Sequence, residues 1–292
     1  YVGWMSIFVV APIIIMVVYA FSTAAGDFTL ENFARMGTYT AVFTRSFKLA
    51  IIATLIALLI GYPVSYMLSK EGPQVQRIAM VLIMLPMWMN FLLRTYSWMS
   101  ILENNGLLNQ LFQQIGLIDL YNQVAMHFAA DPAAYVPIDH FQMIGTQGAV
   151  VLGMVYNYLP FMILPIYSVL VKLDHSLIEA ARDLGASSVQ VFRKVILPLS
   201  LPGVLSGITM VFVPSVSTFA ISRLLGGGTQ MMLGDLIEQQ FLGGAYNPQL
   251  GAAIALVMMA IVVVCMLVIF GPNNKKFQEA QGLLKSGGGF EI

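Results

Sequence analysis

Polar groups are so sparse in this sequence that the few set among apolar neighbours are the first places to look for chemistry. Asn90 and Arg94 stand four residues apart in "PMWMNFLLRTYSW", so on a helix they share one face. On a straight helix Arg94 lies about 26 Å beyond Arg77, near the far end of an apolar span. An arginine there either snorkels to an interface or lines a polar path, and the sequence supports both readings equally. Tyr156 and Asn157 interrupt "VLGMVYNYLPFMILPIYSVL" in a similar way, and an amide in apolar surroundings needs a partner, which favours an inward face. These four residues form the candidate lining of a pathway. His127, Asp131, Asp139 and His140 have no spacing that specifies a metal site and read as a solvated loop. No nucleophile elbow or H-E-x-x-H pair occurs, so no catalytic or metal-binding residue is assigned. The loop G-x-x-x-x-G-K-[ST], whose amides wrap a nucleotide phosphate, is also missing. "LLGGGTQMML" is Gly-rich without a following Lys and reads as a turn.

A second constellation is "EAARDLGASSVQVFRKVILP", Glu179 to Pro198. Ser176 three residues before Glu179 makes a capping-box pattern, which predicts a first short helix over Leu177 to Leu184. Gly185 then suits a left-handed C-cap, Ser187 with Gln190 repeats the capping pattern, and Pro198 is expected to end the second helix. Ala180, Ala181 and Ala186 predict a low-relief surface that another protein can approach closely.

The elements that must carry these residues follow from composition. The 292 residues are 58% hydrophobic and only 10% charged, with mean hydropathy +0.81. Soluble domains are about a quarter charged, so the chain belongs in a membrane. Fourteen basic and fourteen acidic residues cancel, which excludes the global field that binds nucleic acid. The single cysteine, Cys265, allows no intramolecular disulfide. Six apolar segments reach the roughly twenty residues that a helix needs to cross a bilayer core: 2–21, 47–68, 78–102, 149–170, 201–222 and 251–270. The first reads as a retained span, and residues upstream of Tyr1 are expected. Leu108, Leu111, Phe112 and Ile115 predict an interfacial helix in the long loop 103–148, and "FTLENFARM" predicts another short one. Gly203 and Gly207 form a small-xxx-small packing pair, and Pro86, Pro160, Pro165 and Pro214 predict kinks.

Lysine and arginine set the orientation. With both termini cytoplasmic, Lys70, Arg77, Lys172, Arg182, Arg193, Lys194, Lys275, Lys276 and Lys285 face inward, against Arg35, Arg45, Lys48 and Arg223 outside. The segment Glu179 to Pro198 is then cytoplasmic. The chain divides into 1–46, a first span with an outer amphipathic segment; 47–270, the core, with short helices at 176–198; and a cytoplasmic tail, 271–292.

Glu179, Ala180 and Ala181, then Gly185, then Val195, Ile196, Leu197 and Pro198 resemble the EAA motif of the membrane subunits of ATP-binding-cassette importers. The resemblance implies an all-α, six-span type I importer permease fold in a bacterial plasma membrane. It further implies that Glu179 is a polar contact to an ATPase subunit, Ala180 and Ala181 a close-packed surface, and Gly185 the bend, with Arg182, Asp183 and Ala186 beside them. ATP and Mg are expected on a separate ATPase pair, with no cofactor on this chain. The other implied partners are a homologous second permease subunit and an extracytoplasmic substrate-binding protein. "ENFARM", "PMWMNFLLRTYSW", "GLIDLY" and "LLGGGTQMMLGDLIEQQFL" resemble the spermidine/putrescine branch of this family, with "HFAADPAAYVPIDHFQ" as an insertion. Permeases for thiamine, iron, sulfate or molybdate stay open, as does a membrane scaffold. The outer acids Asp27, Glu31, Glu103, Asp119, Asp131, Asp139, Asp235 and Glu238 would attract a cation, or reflect only the charge bias of the two faces.

Overall fold

The computed structural model describes residues 2–128, 135–244 and 246–270, and these are helical apart from turns, loops and one isolated bridge between Ser22 and Phe28. In chain order the helices are α1 (Ser6–Ala20), α2 (Glu31–Arg35), α3 (Thr40–Ser69), α4 (Pro73–Trp88), α5 (Phe91–Leu102), α6 (Leu107–Gln114) and α7 (Leu117–Phe128). They continue with α8 (Gln147–Leu170), α9 (His175–Asp183), α10 (Ser188–Ser217), α11 (Ala220–Leu225), α12 (Leu233–Leu242) and α13 (Pro248–Phe270). The predicted tail 271–292 and Asp131 lie outside the described residues.

Among the described residues four helices are long and apolar enough to cross a bilayer: the stretch ending in α3, then α8, α10 and α13. The predicted third span is not one rod. It is the pair α4 and α5–α6, bent by 90° at Met89 and Asn90, and α1 is a shorter apolar helix. Pro86 starts the break by removing a ladder amide, and Met89 and Asn90 then leave helical geometry with ψ of 149° and 129°. Pro160 and Pro165, by contrast, leave α8 unbroken over its 24 residues. The two predicted short helices of the outer segments are present as α2 and α6, and α7 is a further helix that the spacing did not single out.

The core is the packing of α3, α8 and α10. Lipid tails are as apolar as leucine, so helices in a bilayer associate through close packing and interhelical hydrogen bonds. Small residues make that contact here. A Cβ on Gly61 of α3 would lie 2.9 Å from Met162 Cγ, and one on Gly207 of α10 would lie 2.8 Å from Met162 Sδ and 3.1 Å from its carbonyl oxygen. A Cβ on Gly203 would meet the Pro165 carbonyl at 2.7 Å. Met162 is fully buried between these surfaces. Ser65 Oγ adds a cross-helix bond to the Ile163 carbonyl at 3.1 Å, and Tyr62 OH meets Ser200 Oγ at 2.9 Å. The small-xxx-small pair is therefore a packing device, as its spacing predicts.

Around this core α1 and α13 lie side by side, with Ala20 at the end of one against Ala252 and Ala253 near the start of the other, so they run antiparallel. The start of α13 is tied to the end of α12 by Asn247 N donating to Gln240 O at 2.9 Å. At the same end the Gly-rich turn clasps the entry to α8: Gly145 N donates to Leu225 O, Thr229 Oγ1 and Gln230 Nε2 donate to Gly145 O, and Arg45 donates to Thr229 O. Two asparagines secure the loop before α8. Asn109 brackets the backbone of Phe141, and Asn122 brackets that of Ile138. The opposite end gathers the C-termini of α3 and α8, the start of α10, and α9.

Replacing Gly207 with Val overfills the contact with Met162. The expected cost is about 1–3 kcal/mol, read as a lower thermal midpoint of the detergent-solubilised protein. Gly148→Ala, where a Cβ would meet only Thr146 Oγ1 at 3.7 Å, is expected not to lower the midpoint.

Candidate functional site

The segment between α8 and α10 is built as a rigid joint. Its first helix starts one turn-step earlier than Ser176 and Glu179 predict. Asp174 is the N-cap, its carboxylate accepting from Ser176 N at 2.9 Å, and α9 begins at His175. A carboxylate two residues upstream satisfies the first free amides and also complements the helix dipole, so it takes the cap in place of the hydroxyl. At the far end Ala186 N donates to Ala181 O at 3.1 Å and Gly185 N donates to Arg182 O at 2.8 Å. This is a Schellman turn, and Gly185 supplies its left-handed residue with φ +80°. Ser187 and Gln190 form the reciprocal capping box, Ser187 N donating to Gln190 Oε1 at 2.8 Å and Gln190 N to Ser187 Oγ at 3.4 Å.

Pro198 does not end the second helix. Phe192 to Ile196 is π-helical, Leu197 N reaches back to Phe192 O, and the chain runs on into α10 as one 30-residue helix. The wider π turn accommodates a residue that has no amide to donate and whose ring would crowd the preceding carbonyls. The joint is thus continuous with a membrane-spanning helix.

The joint has two faces. Ile178, Ala181, Ala186, Phe192 and Val195 pack against the cluster of Leu170, Leu173, Val191 and Ile196. Of the three alanines expected on the surface, only Ala180 is exposed; Ala181 and Ala186 turn inward because the Schellman turn brings them together over that cluster. Glu179, Arg182, Asp183 and Gly185 are exposed. Beside them Leu177, Leu184 (89% exposed) and Val189 (65%) present bare apolar side chains, which the motif pattern did not single out.

The other candidate residues are redistributed by the bend. Asn90 is exposed and serves as the N-cap of α5, its Oδ1 accepting from Leu92 N at 2.9 Å and Leu93 N at 3.3 Å. It stands one turn before Arg94, whose N donates to its carbonyl at 3.1 Å, but its side chain is taken up by the cap, and the straight-rod distance from Arg77 does not apply across the bend. Arg94, 8% exposed, donates back across the break to the Pro86 carbonyl. It staples the start of α5 to the end of α4, where the last carbonyls lack helical donors. Its guanidinium carbon is 5.9 Å from the Tyr156 ring centre, and Trp98 meets the same ring at 5.2 Å, edge on. Arg94, Trp98 and Tyr156 are thus brought together. Trp98 and Tyr156 also line a groove of about 700 Å3 between α3, α5 and α8, walled by Ile52, Ile56, Val151 and Val155. Asn157 faces elsewhere: it is 2% exposed, its Nδ2 donates to Gly153 O of its own helix at 2.8 Å, and its Oδ1 has no partner.

Several outer acids are occupied locally. Asp235 is 4% exposed and its Oδ2 accepts from Met232 N at 2.9 Å at the start of α12. Burial pushes its carboxyl above the ordinary carboxylate range, with hydrogen bonding and Arg223 working in the opposite sense. Glu238 pairs with Arg223, Glu31 with Arg35, and Asp139 with His140. Among the described residues no group of three or more His, Cys, Asp or Glu is arranged to hold a metal.

Residues 57–276 match the family described as binding-protein-dependent transport system inner membrane component. The chain belongs to that family. The matched region holds the joint, Asn90, Arg94, Tyr156 and Asn157, while α1 and α2 lie before it. The chain is 36% identical over 277 residues to the spermidine/putrescine transport system permease protein PotB of Salmonella typhimurium (strain LT2), covering 92% of this chain and 89% of the relative. It is 34% identical over 288 residues to the protein of the same name from Escherichia coli (strain K12), covering 95% and 98%. The fold is similar to a bacterial alginate ABC transporter crystallised with its alginate pentasaccharide-bound periplasmic protein. That match has TM-score 0.69 and 16% identity, and covers 94% of this chain and 91% of the other. The chain is accordingly a permease component of an ABC importer, and its relatives are permeases rather than enzymes.

Single cysteines introduced in a Cys265→Ser background test the geometry. At Asn90 a cysteine is expected to react with a membrane-impermeant maleimide, and at Arg94 or Asn157 to stay unlabelled without nucleotide. Equal labelling at all three would contradict the bend.

Proposed function

We propose that this chain forms half of the translocation pathway of an ATP-driven polyamine importer, with α9 and the start of α10 as the element that couples it to an ATPase pair. One observation carries the reading: an exposed helix with bare Leu177, Leu184 and Val189 is seated firmly on the core and runs through a π turn into α10. Bare apolar side chains beside Glu179, Arg182 and Asp183 suit a groove on a partner protein. A partner that closes on ATP and Mg would push on a joint whose free movement is limited by the Schellman turn and the capping box. The force would pass to α10, and through Gly203 and Gly207 to α8.

In this reading a second homologous permease completes the path and a substrate-binding protein meets the outer end. The latter is supported by the periplasmic protein that accompanies the alginate transporter. The joint and the ends of the α1–α13 pair that lie away from Ala20 and Ala252 fall on the side of Lys70, Arg77, Lys172, Arg182, Arg193 and Lys194, which supports cytoplasmic termini. The substrate class, spermidine and putrescine, is supported by the relatives that share about a third of their residues over almost the whole chain.

Uptake of radiolabelled spermidine and putrescine by cells expressing the complete importer tests the substrate, with thiamine and sulfate as comparisons. Uptake of thiamine or sulfate in place of polyamine would refute it. The joint is tested by Gly185→Val. A β-branched residue at φ +80° costs about 1–3 kcal/mol, enough to lower the productive population about tenfold. Transport and binding-protein-stimulated ATP hydrolysis are expected to fall together at unchanged membrane abundance. Normal transport by this variant would rule out the force-transmitting role.

A further inference from the structure

Among the described residues four buried side-chain polar atoms make no hydrogen bond: Arg94 Nε, Asn157 Oδ1, Gln230 Oε1 and Asp235 Oδ1. Only the last belongs to a group that can correct this by itself, because a carboxylate accepts at both oxygens whereas a carboxylic acid has an O–H to donate. Asp235 stands in the first turn of α12, 4% exposed, where other backbone comes close. Leu233 N donates to the buried Ser46 Oγ of α3 at 2.8 Å. A Cβ on Gly234 would lie 2.3 Å from Ser217 O and 2.5 Å from Thr218 O, at the break between α10 and α11.

Every donor near this carboxyl has another use. Met232 N is taken by Oδ2 at 2.9 Å. Ser222 Oγ of α11 lies beside the carboxyl, but its one proton goes to Phe219 O at 2.9 Å, with Thr218 O at 3.5 Å. Turned toward Oδ1, the hydroxyl would give up that bond. Arg223 of α11, whose charge reaches Asp235, is held at both terminal nitrogens by Glu238 of α12, and the Glu238 charge itself opposes ionisation. The other helices packed on α12 supply no substitute. On α3, Arg45 donates to Thr229 O and Lys48 lines the groove of Trp98 and Tyr156; α10 has Arg193 and Lys194 at its opposite end; α13 has only Cys265. The start of α12 favours negative charge, but a buried carboxylate oxygen with no donor costs more than that end effect returns.

We propose that Asp235 is a proton-binding site: in weakly acidic surroundings Oδ1 takes a proton from water and donates it to Ser222 Oγ, so that α12 is bonded to α11 in the acid form and released in the ionised form. All three groups are then satisfied, because Oδ2 keeps Met232 N and Ser222 keeps its own proton on Phe219 O. The new bond closes over the break that ends α10, in the same part of the chain as the clasp of Gly145, Thr229 and Gln230. The tightness of that end therefore follows the pH around it. Burial favours the protonated form, so the folded chain holds a proton that the unfolded chain has released. Stability is then highest below the ordinary carboxylate range and falls as pH rises through the raised value. None of this depends on which solute the importer carries.

Infrared difference spectra of the intact chain in nanodiscs test the site, with the carboxylic-acid C=O band as the probe and Asp235→Asn to assign it. At about pH 6, where exposed carboxylates are ionised, wild type is expected to show a band that Asp235→Asn lacks and that disappears by about pH 8. Ser222→Ala should move this band to higher frequency, because the acid O–H loses its acceptor. A spectrum at about pH 6 with no Asp235-dependent band, or a band that Ser222→Ala leaves unmoved, overturns the proposal. Thermal midpoints form a second arm. Asp235→Asn imitates the acid form, offering an oxygen to Met232 N and an N–H to Ser222 Oγ. Its midpoint is expected to match that of wild type at about pH 5 and to exceed it by about 2–4 °C at about pH 8. An equal or lower midpoint at about pH 8 overturns the release of α12 on ionisation.

Discussion

The structure depends on the approach of three backbones around one side chain. Met162 fills the space that Gly61 and Gly207 leave vacant, and Gly203 lets α10 lie against the Pro165 carbonyl. In a bilayer this contact is not driven by release of water, so its strength comes from the number of atoms brought to contact distance. That condition sets the spacing of α3, α8 and α10, and therefore where their ends fall. Both functional ends inherit their geometry from it: the clasp of Gly145, Thr229 and Gln230 at one end, and the seat of α9 at the other.

Departures from the regular helix are distributed with purpose around this fixed centre. The 90° break at Met89 and Asn90 is finished on both sides, by the Asn90 cap and by Arg94 reaching back to Pro86. The π turn at Phe192 to Ile196 absorbs Pro198 and keeps the joint continuous with α10. After Ser217, α10 stops and α11 begins at Ala220, which turns the chain into the outer clasp. The three central helices run unbroken past one another while their ends carry the bends.

Charge is arranged by the same logic. Exposed pairs such as Glu31 with Arg35 contribute little to stability. The buried polar groups are costly and few: Arg94 spends one donor on a helix end, Asn157 leaves its Oδ1 unpartnered, and Asp235 caps its own helix. The outer acids are therefore a weaker cation field than their number implies, since Glu31, Asp139 and Glu238 are paired and Asp235 is buried. Around the joint Lys70 and Arg182 make no ion pair among the described residues.

How much was legible in the sequence follows the range of the forces involved. Apolar length alone dictated the long helices, because a backbone in lipid must satisfy itself within the segment. Gly185, the Ser187–Gln190 box and the Gly203–Gly207 pair were equally legible, since each is decided by residues within one or two turns or by side-chain size. The competing choices were not. Ser176 and Asp174 can both cap a helix, and the capping-box spacing alone does not reveal that the carboxylate takes the cap. Pro86 and Pro160 look alike in the sequence, yet one precedes a right-angle break and the other sits inside a continuous helix, because only the first has Asn90 and Arg94 to satisfy the severed ends. The meeting of Trp98 with Tyr156 and the inward turn of Ala181 and Ala186 join residues distant in sequence or depend on what lies beneath them. Local sequence determines which backbone shapes are affordable; the packing of α3, α8 and α10 decides which of them is adopted, because only the third dimension brings the remaining partners within reach.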